Sequence, residues 1–404
     1  MKILMLTPYL PYPLLSGGQI RTYNLLKKLA HKHEITLFSL IKNNEERQYV
    51  TELEKYCTKV RVFNRSQKPF TFQNVFKAFF SSHPFLVIRN HAPTAIKAIE
   101  EELNQNQYDL IHAETFYMMP HLPRTIIPTI LVEQTIEYLG YESYAKKAPF
   151  FLQPILEIDI KKIKKWEKYY WEKCDRLIVM SQDDQKYIGE KISDPSKIDV
   201  VSNGVDIEWF NQTPRRLPDK PTILSVGTFN WLPNVEAVNF LVKQVWPKIK
   251  QLVTGAQLMI VGNNPTQEIF DFEKHDKQIN VIGRIPDIRE AFKKSHVLVA
   301  PVFSGKGTRY KILEAMACGT PVVATAIAVE GLGVKHGVHV LTSNTADGLA
   351  ELTAEVLKNH QLWESLSKTG YQFVMERYNW NVISKKLDQI YQQLGTNHRQ
   401  RPKK

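Results

Sequence analysis

Short runs rich in Ile, Val and Leu recur along this chain, each separated from the next by a stretch of helical periodicity. In the first half the strand candidates are 3–6, 34–40, 59–63, 110–112, 129–133, 176–180 and 198–201. A helix at 20–30 lies between the first two, with Ile20, Tyr23, Leu26 and Leu29 or Ala30 on one face. The pattern then restarts, with strands at 222–226, 257–261, 279–282, 297–300 and 321–324 and helices near 235–251, 288–294 and 310–317. Strand and helix alternating in this way specify an α/β chain with parallel sheets covered by helices. Occurring twice, the pattern specifies two doubly wound, Rossmann-like domains, and 404 residues suit two domains better than one.

The boundaries follow from composition. Residues 1–210 form the first domain, the polar, proline-rich stretch 211–221 a linker, and 222–380 the second domain. Residues 381–396 read as a C-terminal helix packing back on the first domain, and 397–404 as a basic tail too polar to fold. Ligands of such sheets bind at the carboxyl ends of the strands, so the expected site is a cleft between the two domains.

Several function classes are excluded at this level. No run of about 18 apolar residues is available to cross a bilayer. The start from Met1 to Thr7 has only five apolar residues before Pro8, too few for a signal-peptide core of roughly 7 to 15, so it reads as a first strand and the expected location is cytoplasmic. Cys57, Cys174 and Cys318 are far apart, which predicts reduced thiols and no structural zinc. The net charge of +12 favours an acidic partner. Its basic residues are not gathered into a nucleic-acid module, so nucleic acid is not expected. No G-x-G-x-x-G follows the first strand, which argues against a nicotinamide enzyme.

The most informative stretch runs from Ala300 to Gly319. A strand ends at Pro301, a glycine loop follows, and a helix opens near Thr308, so backbone N–H groups and the positive helix end face one place. Gly305 and Gly307 admit a phosphate, and Lys306, Arg309 and Lys311 supply cations beside it. Glu314, about a turn and a half into the helix, is positioned to accept both hydroxyls of a ribose. The bland alternative is an ordinary strand-to-helix turn with solvated cations and an ion-paired Glu314. The tight turn and apolar strand that follow, Gly319 to Thr325, favour the ligand reading.

From Leu313 to Thr325 the chain resembles the family 4 glycosyltransferases of GT-B fold, whose donor-side signature ends in L-E-A-M-A-x-G-x-P-V-V-A-T. Gly17-Gly18 after the first strand, Asn203 within Ser202-Asn203-Gly204-Val205-Asp206, Gly262 after Val261, and Arg284 and Ile285 after Gly283 extend the resemblance over nearly the whole chain. The run from Gly227 to Asn234 and the Gly305-Lys306-Gly307-Thr308 version of the loop are most like bacterial transferases of surface polysaccharide assembly. The resemblance implies a hexosyltransferase-type enzyme that takes a nucleotide sugar, retains the anomeric configuration, and acts on a glycan or lipid-linked acceptor. It also implies that Gly17, Gly18, Asn203, Gly227, Gly262, Arg284, Ile285, Lys306, Gly307, Thr308, Arg309, Lys311 and Glu314 bind the donor.

Two departures shape the expected chemistry. The family's first glutamate falls at Lys306, and the Arg and Lys usual after the first strand of the second domain are missing from 226–234. Cations absent from one loop are supplied by the other, which neutralises a diphosphate without a metal ion or other cofactor. Lys306 and Arg309 are accordingly the expected leaving-group stabilisers. His112, Glu133 and Glu137, at strand ends in the first domain, are the candidates for acceptor contact or proton transfer, with His112 and Glu137 named as catalytic.

The aromatic segment 70–80 and the basic, aromatic segment 161–171 either pack within the first domain or touch an anionic bilayer at its inner face. Two rival activities are a nucleotide-sugar epimerase and a non-catalytic nucleotide-sugar binder.

Overall fold

The computed structural model describes the whole chain except residues 67–70, 72, 73, 75, 77, 79, 147, 305–309 and 400–404. It divides into two compact units, Met1–Asn203 with Ile383–Lys404, and Gly204–Val382. Each is built on a parallel sheet.

The first sheet has seven strands: β1 (Lys2–Thr7), β2 (Glu34–Ile41), β3 (Lys59–Asn64), β4 (Leu110–Glu114), β5 (Thr129–Glu133), β6 (Arg176–Val179) and β7 (Ile198–Val200). Their spatial order is β3-β2-β1-β4-β5-β6-β7, all parallel. Near-continuous apolar sequence is what a parallel strand covered on both faces requires, and β4 and β5 are buried at every position. The order reverses direction between β1 and β4, and this switch point is where doubly wound sheets hold ligands.

The second sheet repeats that order with β8 (Thr222–Val226), β9 (Gln257–Val261), β10 (Ile279–Ile282), β11 (Val297–Ala300), β12 (Val322–Ala324) and β13 (Leu341–Thr342), arranged β10-β9-β8-β11-β12-β13. Alternate residues feed two apolar layers. Leu224, Leu298, Ala300 and Val322 enter one, while Ile223, Val297, Val299 and Val323 enter the other. The two-residue β13 was not expected from the sequence, being too short to show an alternating pattern.

The boundary lies earlier than composition suggests. Val205, Ile207 and Phe210 belong to the core of the second unit, and the helix Ile207–Asn211 starts on a cap from Asp206. The stretch read as a linker is tied down as well. Arg215 donates to the carbonyls of Ser295 and Cys318 and to Thr320 Oγ1, and its guanidinium lies over the Trp363 ring. Polarity at 211–221 thus marks a strap on the surface of the second unit.

The C-terminal helix, Trp380–Arg399, contributes its residues from Ile383 onward to the first unit. Asp388 receives both Lys32 (2.5 Å) and His33 (3.0 Å), and Tyr391 is buried. Residues 400–404 of the expected tail lie outside the described residues. The expected helix 235–251 is three pieces, Leu232–Phe240, a π turn Leu241–Val245, and Trp246–Leu252. Pro247 has no N–H to give to the preceding turn, and the wider turn absorbs the broken ladder. All three cysteines are buried free thiols.

Candidate functional site

In the second unit the residues singled out by sequence gather at the carboxyl ends of β8, β9 and β11. Gly227 follows β8 and Gly262 follows β9. The backbones touch so closely that a Cβ on Gly262 would stand 1.6 Å from the Gly227 carbonyl oxygen. A Cβ on Gly227 would in turn press on Asn234 at 3.1 Å. Glycine is therefore a packing requirement at 262, while at 227 a Cβ would need the Asn234 side chain to give by a few tenths of an ångström.

Asn234 sits in the first turn of the helix after β8. Its Nδ2 donates to the Thr228 carbonyl (2.9 Å), and its Oδ1 accepts from Lys311 Nζ (2.9 Å). Ser304, after β11, donates to Glu236 on the same helix (3.0 Å). The loops flanking the switch point of this sheet are thus laced together through Lys311 and Asn234. Glu314 lies one turn beyond Lys311 in the helix Tyr310–Ala317. No hydrogen bond or ion pair joins its carboxyl to another described residue, Lys311 included. Burial pushes that carboxyl up to about 7, with the Lys311 charge pulling the other way.

Other expected donor residues are more dispersed. Arg284 is exposed and Ile285 half-buried in the loop after β10. Lys306, Gly307, Thr308 and Arg309, together with Gly305, lie outside the described residues. Asn203 belongs to the first unit, where it is buried and its Oδ1 accepts from Arg21 (3.4 Å).

In the first unit, Gly17 and Gly18 open the helix Gly17–Leu29, whose N-cap Ser16 accepts from the Gln19 N–H. A Cβ at Gly18 would lie 2.5 Å from both Gln134 Oε1 and Tyr9 Oη. These two side chains are held in a chain of hydrogen bonds, so Gly18 makes room for that chain.

The chain begins at Tyr391, whose hydroxyl bonds His112 Nδ1 (2.7 Å). His112 Nε2 bonds Glu114 (3.1 Å), and the other oxygen of Glu114 accepts from Gln134 Nε2 (2.6 Å), which also reaches Tyr9. A carboxylate only accepts, so Nε2 carries the imidazole proton. Burial raises the Glu114 carboxyl, but its bond to His112 and the nearby Arg21 charge outweigh this, and it stays below the usual carboxylate range. His112 therefore differs from its expected cleft-facing placement. It is fully buried, with both ring nitrogens engaged inside the unit.

Just beyond, Thr115 is held at φ +69°, an unusual conformation for a β-branched residue and one that concentrates at functional sites.

Glu133 also departs from its expected role. Its Oε1 accepts from the Trp171 indole (3.1 Å), and burial plus the neighbouring Glu167 push it well above the ordinary carboxylate range. It is a core residue. Glu137 is different: it is half-buried, makes no hydrogen bond through its carboxyl to another described residue, and is pushed up to about 7 by burial against the pull of Arg89. Its backbone is fixed by Glu167, which accepts from the N–H groups of Glu137 (2.7 Å) and Tyr138 (3.1 Å).

Sequence reasoning passed over Glu114, Gln134, Arg21, Asn234 and Glu167. Only Glu114 left a signal: with His112 it puts two polar residues on one face of an otherwise apolar strand.

Comparison with known proteins points the same way. The family described as Glycosyltransferase Family 4 matches residues 15–209, and that described as Glycosyl transferases group 1 matches 220–359. A Klebsiella pneumoniae protein described as an uncharacterized 44.6 kDa protein in the cps region is 22% identical over 94% of this chain and 96% of its own.

The UDP-Gal:alpha-D-GlcNAc-diphosphoundecaprenol alpha-1,3-galactosyltransferase of Escherichia coli is 24% identical, over 61% of this chain and 63% of its own. The phosphatidyl-myo-inositol mannosyltransferase of Mycobacterium leprae is also 24% identical, over 48% and 54%. The match thus spans about half the length of the latter enzyme.

Among solved structures, sucrose-phosphate synthase from Thermosynechococcus elongatus superposes with a TM-score of 0.71 at 20% identity, over 98% of this chain and 100% of that one. Anabaena Alr3699/HepE in complex with UDP and glucose gives 0.66 at 16% identity, over 97% and 100%. With family models matching both halves and a GT-B fold, the chain belongs to the family 4 glycosyltransferases.

Proposed function

We propose that this glycosyltransferase moves a sugar, with retention of configuration and without a metal ion, from a nucleoside-diphosphate sugar to a glycan or lipid-linked acceptor. The observation that carries the reading is the arrangement after β8, β9 and β11. Two loops meet closely at Gly227 and Gly262, Lys311 is oriented by Asn234, and the Glu314 carboxyl has no described partner. That set suits a diphosphate and a ribose diol. Lys306 and Arg309, close to Lys311 in sequence, supply further positive charge for the departing diphosphate, the role a metal ion plays in other transferases. Same-face transfer needs support for the leaving group more than a strong base. Glu137 is our candidate for the acceptor side, since a carboxyl pushed up to about 7 can take up the hydroxyl proton.

The solved Anabaena structures hold UDP, glucose and UDP-glucose, and the E. coli relative is named for UDP-Gal, so UDP-sugars head the donor panel. The test is a thermal-shift screen of UDP-, GDP- and dTDP-sugars, followed by product analysis with the stabilising donor. Transfer of the stabilising donor's sugar to acceptor with its anomeric configuration kept and the nucleoside diphosphate released, in the presence of EDTA, supports the proposal. Inversion, or loss of turnover with EDTA restored by a divalent ion, overturns the finer reading.

Peripheral membrane contact is the second part of the proposal. Phe76, Phe80, Phe150, Phe151, Ile155 and Ile158 are exposed on the first unit, and Lys161, Lys164 and Lys165 on the same helix as Ile155 and Ile158 face solvent. Apolar side chains beside lysines suit an anionic bilayer. Among the described residues no helix is long and apolar enough to cross a membrane. Co-sedimentation with anionic vesicles that falls with salt is the expected result, and no sedimentation sinks this part.

A further inference from the structure

Two arginines of the first unit sit together without the partners that buried guanidinium groups normally have. Arg65 follows β3 directly, and its N–H donates to the Ile41 carbonyl (2.9 Å), which fixes its backbone at the carboxyl end of the sheet edge. Its Nη1 donates to Asn90 Oδ1, and Asn90, fully buried, is itself held by a bond from its Nδ2 to the Leu86 carbonyl (2.8 Å). Arg89 is the preceding residue on the helix Phe85–Asn90.

In both arginines the Nε atom is buried and has no hydrogen-bond acceptor. Neither guanidinium forms an ion pair with a described carboxylate. Burial and the Arg89 charge hold Arg65 below the usual guanidinium range, with Tyr117 and Glu46 offsetting this only weakly.

We propose that Arg65 and Arg89 form a seat for a phosphate or diphosphate group carried by the acceptor. The inference rests on the reading of Glu137 as an acceptor-side residue, because Arg89 is the cation acting on Glu137 and on the neighbouring Tyr117 and Tyr141.

Three points select phosphate. Buried N–H groups are nearly always satisfied, so two orphan Nε–H groups in one place call for a ligand with several acceptor oxygens. Sugar hydroxyls would accept these bonds yet leave the like charges of Arg65 and Arg89 opposed only at a distance by Glu46 and Glu137, whereas an oxyanion accepts the bonds and meets the charges directly. With Nη1 of Arg65 committed to Asn90, the edge formed by Nε and Nη2 is the one left, and that edge matches a phosphate in bidentate fashion.

The same chemistry is offered by a lipid-linked sugar diphosphate and by a water-soluble sugar phosphate. The exposed Phe76 and Phe80, which lie in sequence between the two arginines with ring centroids 4.5 Å apart, favour the lipid.

The experiment measures binding of inorganic pyrophosphate, farnesyl diphosphate and farnesol to the full chain by calorimetry, with UDP titrated in parallel. The variants are Arg65→Gln/Arg89→Gln, the charge-keeping Arg65→Lys/Arg89→Lys, and Lys274→Gln/Lys277→Gln as a charge-matched control. Pyrophosphate affinity should fall by about tenfold or more in the double glutamine variant, fall less in the lysine variant, and hold in the control. Farnesyl diphosphate binding tighter than pyrophosphate, with farnesol not bound, assigns a lipid diphosphate. Equal affinity for the two diphosphates assigns a soluble phosphate and keeps the seat.

Unchanged pyrophosphate and farnesyl diphosphate binding in both arginine variants, with native circular dichroism, overturns the proposal. A protein that binds no nucleotide while still losing pyrophosphate in the arginine variants would sink the donor reading and leave the seat standing.

Discussion

The buried charge pair around β4 makes a quantitative demand. Glu114 and Arg21 are both fully buried, and Arg21 spends Nη1 on the Ser202 carbonyl and Asn203 while its Nε and Nη2 have no acceptor. No ion pair joins Arg21 to Glu114, but their opposite charges attract through the buried interior, and we expect Glu114 to compensate this cation. Glu114→Gln keeps the shape of the side chain and an oxygen for His112 but removes the charge.

Removing one partner of a buried pair costs about 3–5 kcal/mol, and the retained hydrogen bond from His112 returns about 1 kcal/mol of that. The expected loss is therefore about 2–4 kcal/mol. For a unit of this size it lowers Tm by roughly 5–15 °C.

The sign with pH is fixed as well. The folded-state pKa of Glu114 lies below its unfolded value, so its contribution is present above the unfolded pKa and is lost as pH falls through the folded one. Urea unfolding followed by intrinsic fluorescence should show the variant less stable at pH 7, and the gap to wild type should close at acid pH. In Arg21→Met/Glu114→Gln the loss should be smaller than the two single losses added, by about 1–3 kcal/mol. Additive losses, or a single-variant effect below about 0.5 kcal/mol, would refute the claim that these charges compensate each other.

Further expectations concern the donor and acceptor sides. Gly262→Ala must move the Gly227 carbonyl from 1.6 Å to the roughly 3 Å that a real Cβ tolerates, costing about 1–3 kcal/mol, and nucleotide affinity should fall with it. Unaltered affinity and stability would mean that the two loops are free to part. Glu314→Gln should weaken binding of a ribonucleotide by about tenfold and that of its 2′,3′-dideoxy analogue far less, because only the former offers the diol. Equal losses would remove the ribose role.

If Glu137 takes the acceptor proton, kcat/KM should rise with pH through about 7 in the wild type, and this limb should vanish in Glu137→Gln. The same inflection in the variant would assign it to another group. Glu167→Ala removes the acceptor for two backbone N–H groups at the start of the helix Glu137–Ala145. It should raise the acceptor KM while leaving UDP affinity unchanged, and an equal loss on both would point to general unfolding.

How much of this was readable beforehand divides along physical lines. Every strand of both sheets except β13 declared itself: central strands such as β4 and β5 are buried at every position and rich in apolar residues, while the partly exposed β3 and β10 still carry apolar residues at alternate positions, and both patterns are local properties of the sequence. The glycines at 227 and 262 were also readable, through the family resemblance, as donor-side positions. What they do there was not, since the 1.6 Å approach of one to the other joins residues 35 positions apart. The same holds for Lys311, whose orientation depends on Asn234, and for Arg65 and Arg89, whose shared want of an acceptor appears only when β3 and the helix Phe85–Asn90 are folded together.

His112 shows the converse failure. A histidine ending a strand reads from the sequence as a candidate for acceptor contact or proton transfer. The residue that encloses it, Tyr391, is 279 positions away on the C-terminal helix. Periodicity and spacing reveal which face of an element is apolar, but whether a polar side chain on that face meets solvent, ligand or another buried polar group is decided by partners that no window of sequence contains. That is why Glu137 keeps a carboxyl with no described hydrogen-bond partner while His112 has both ring nitrogens engaged.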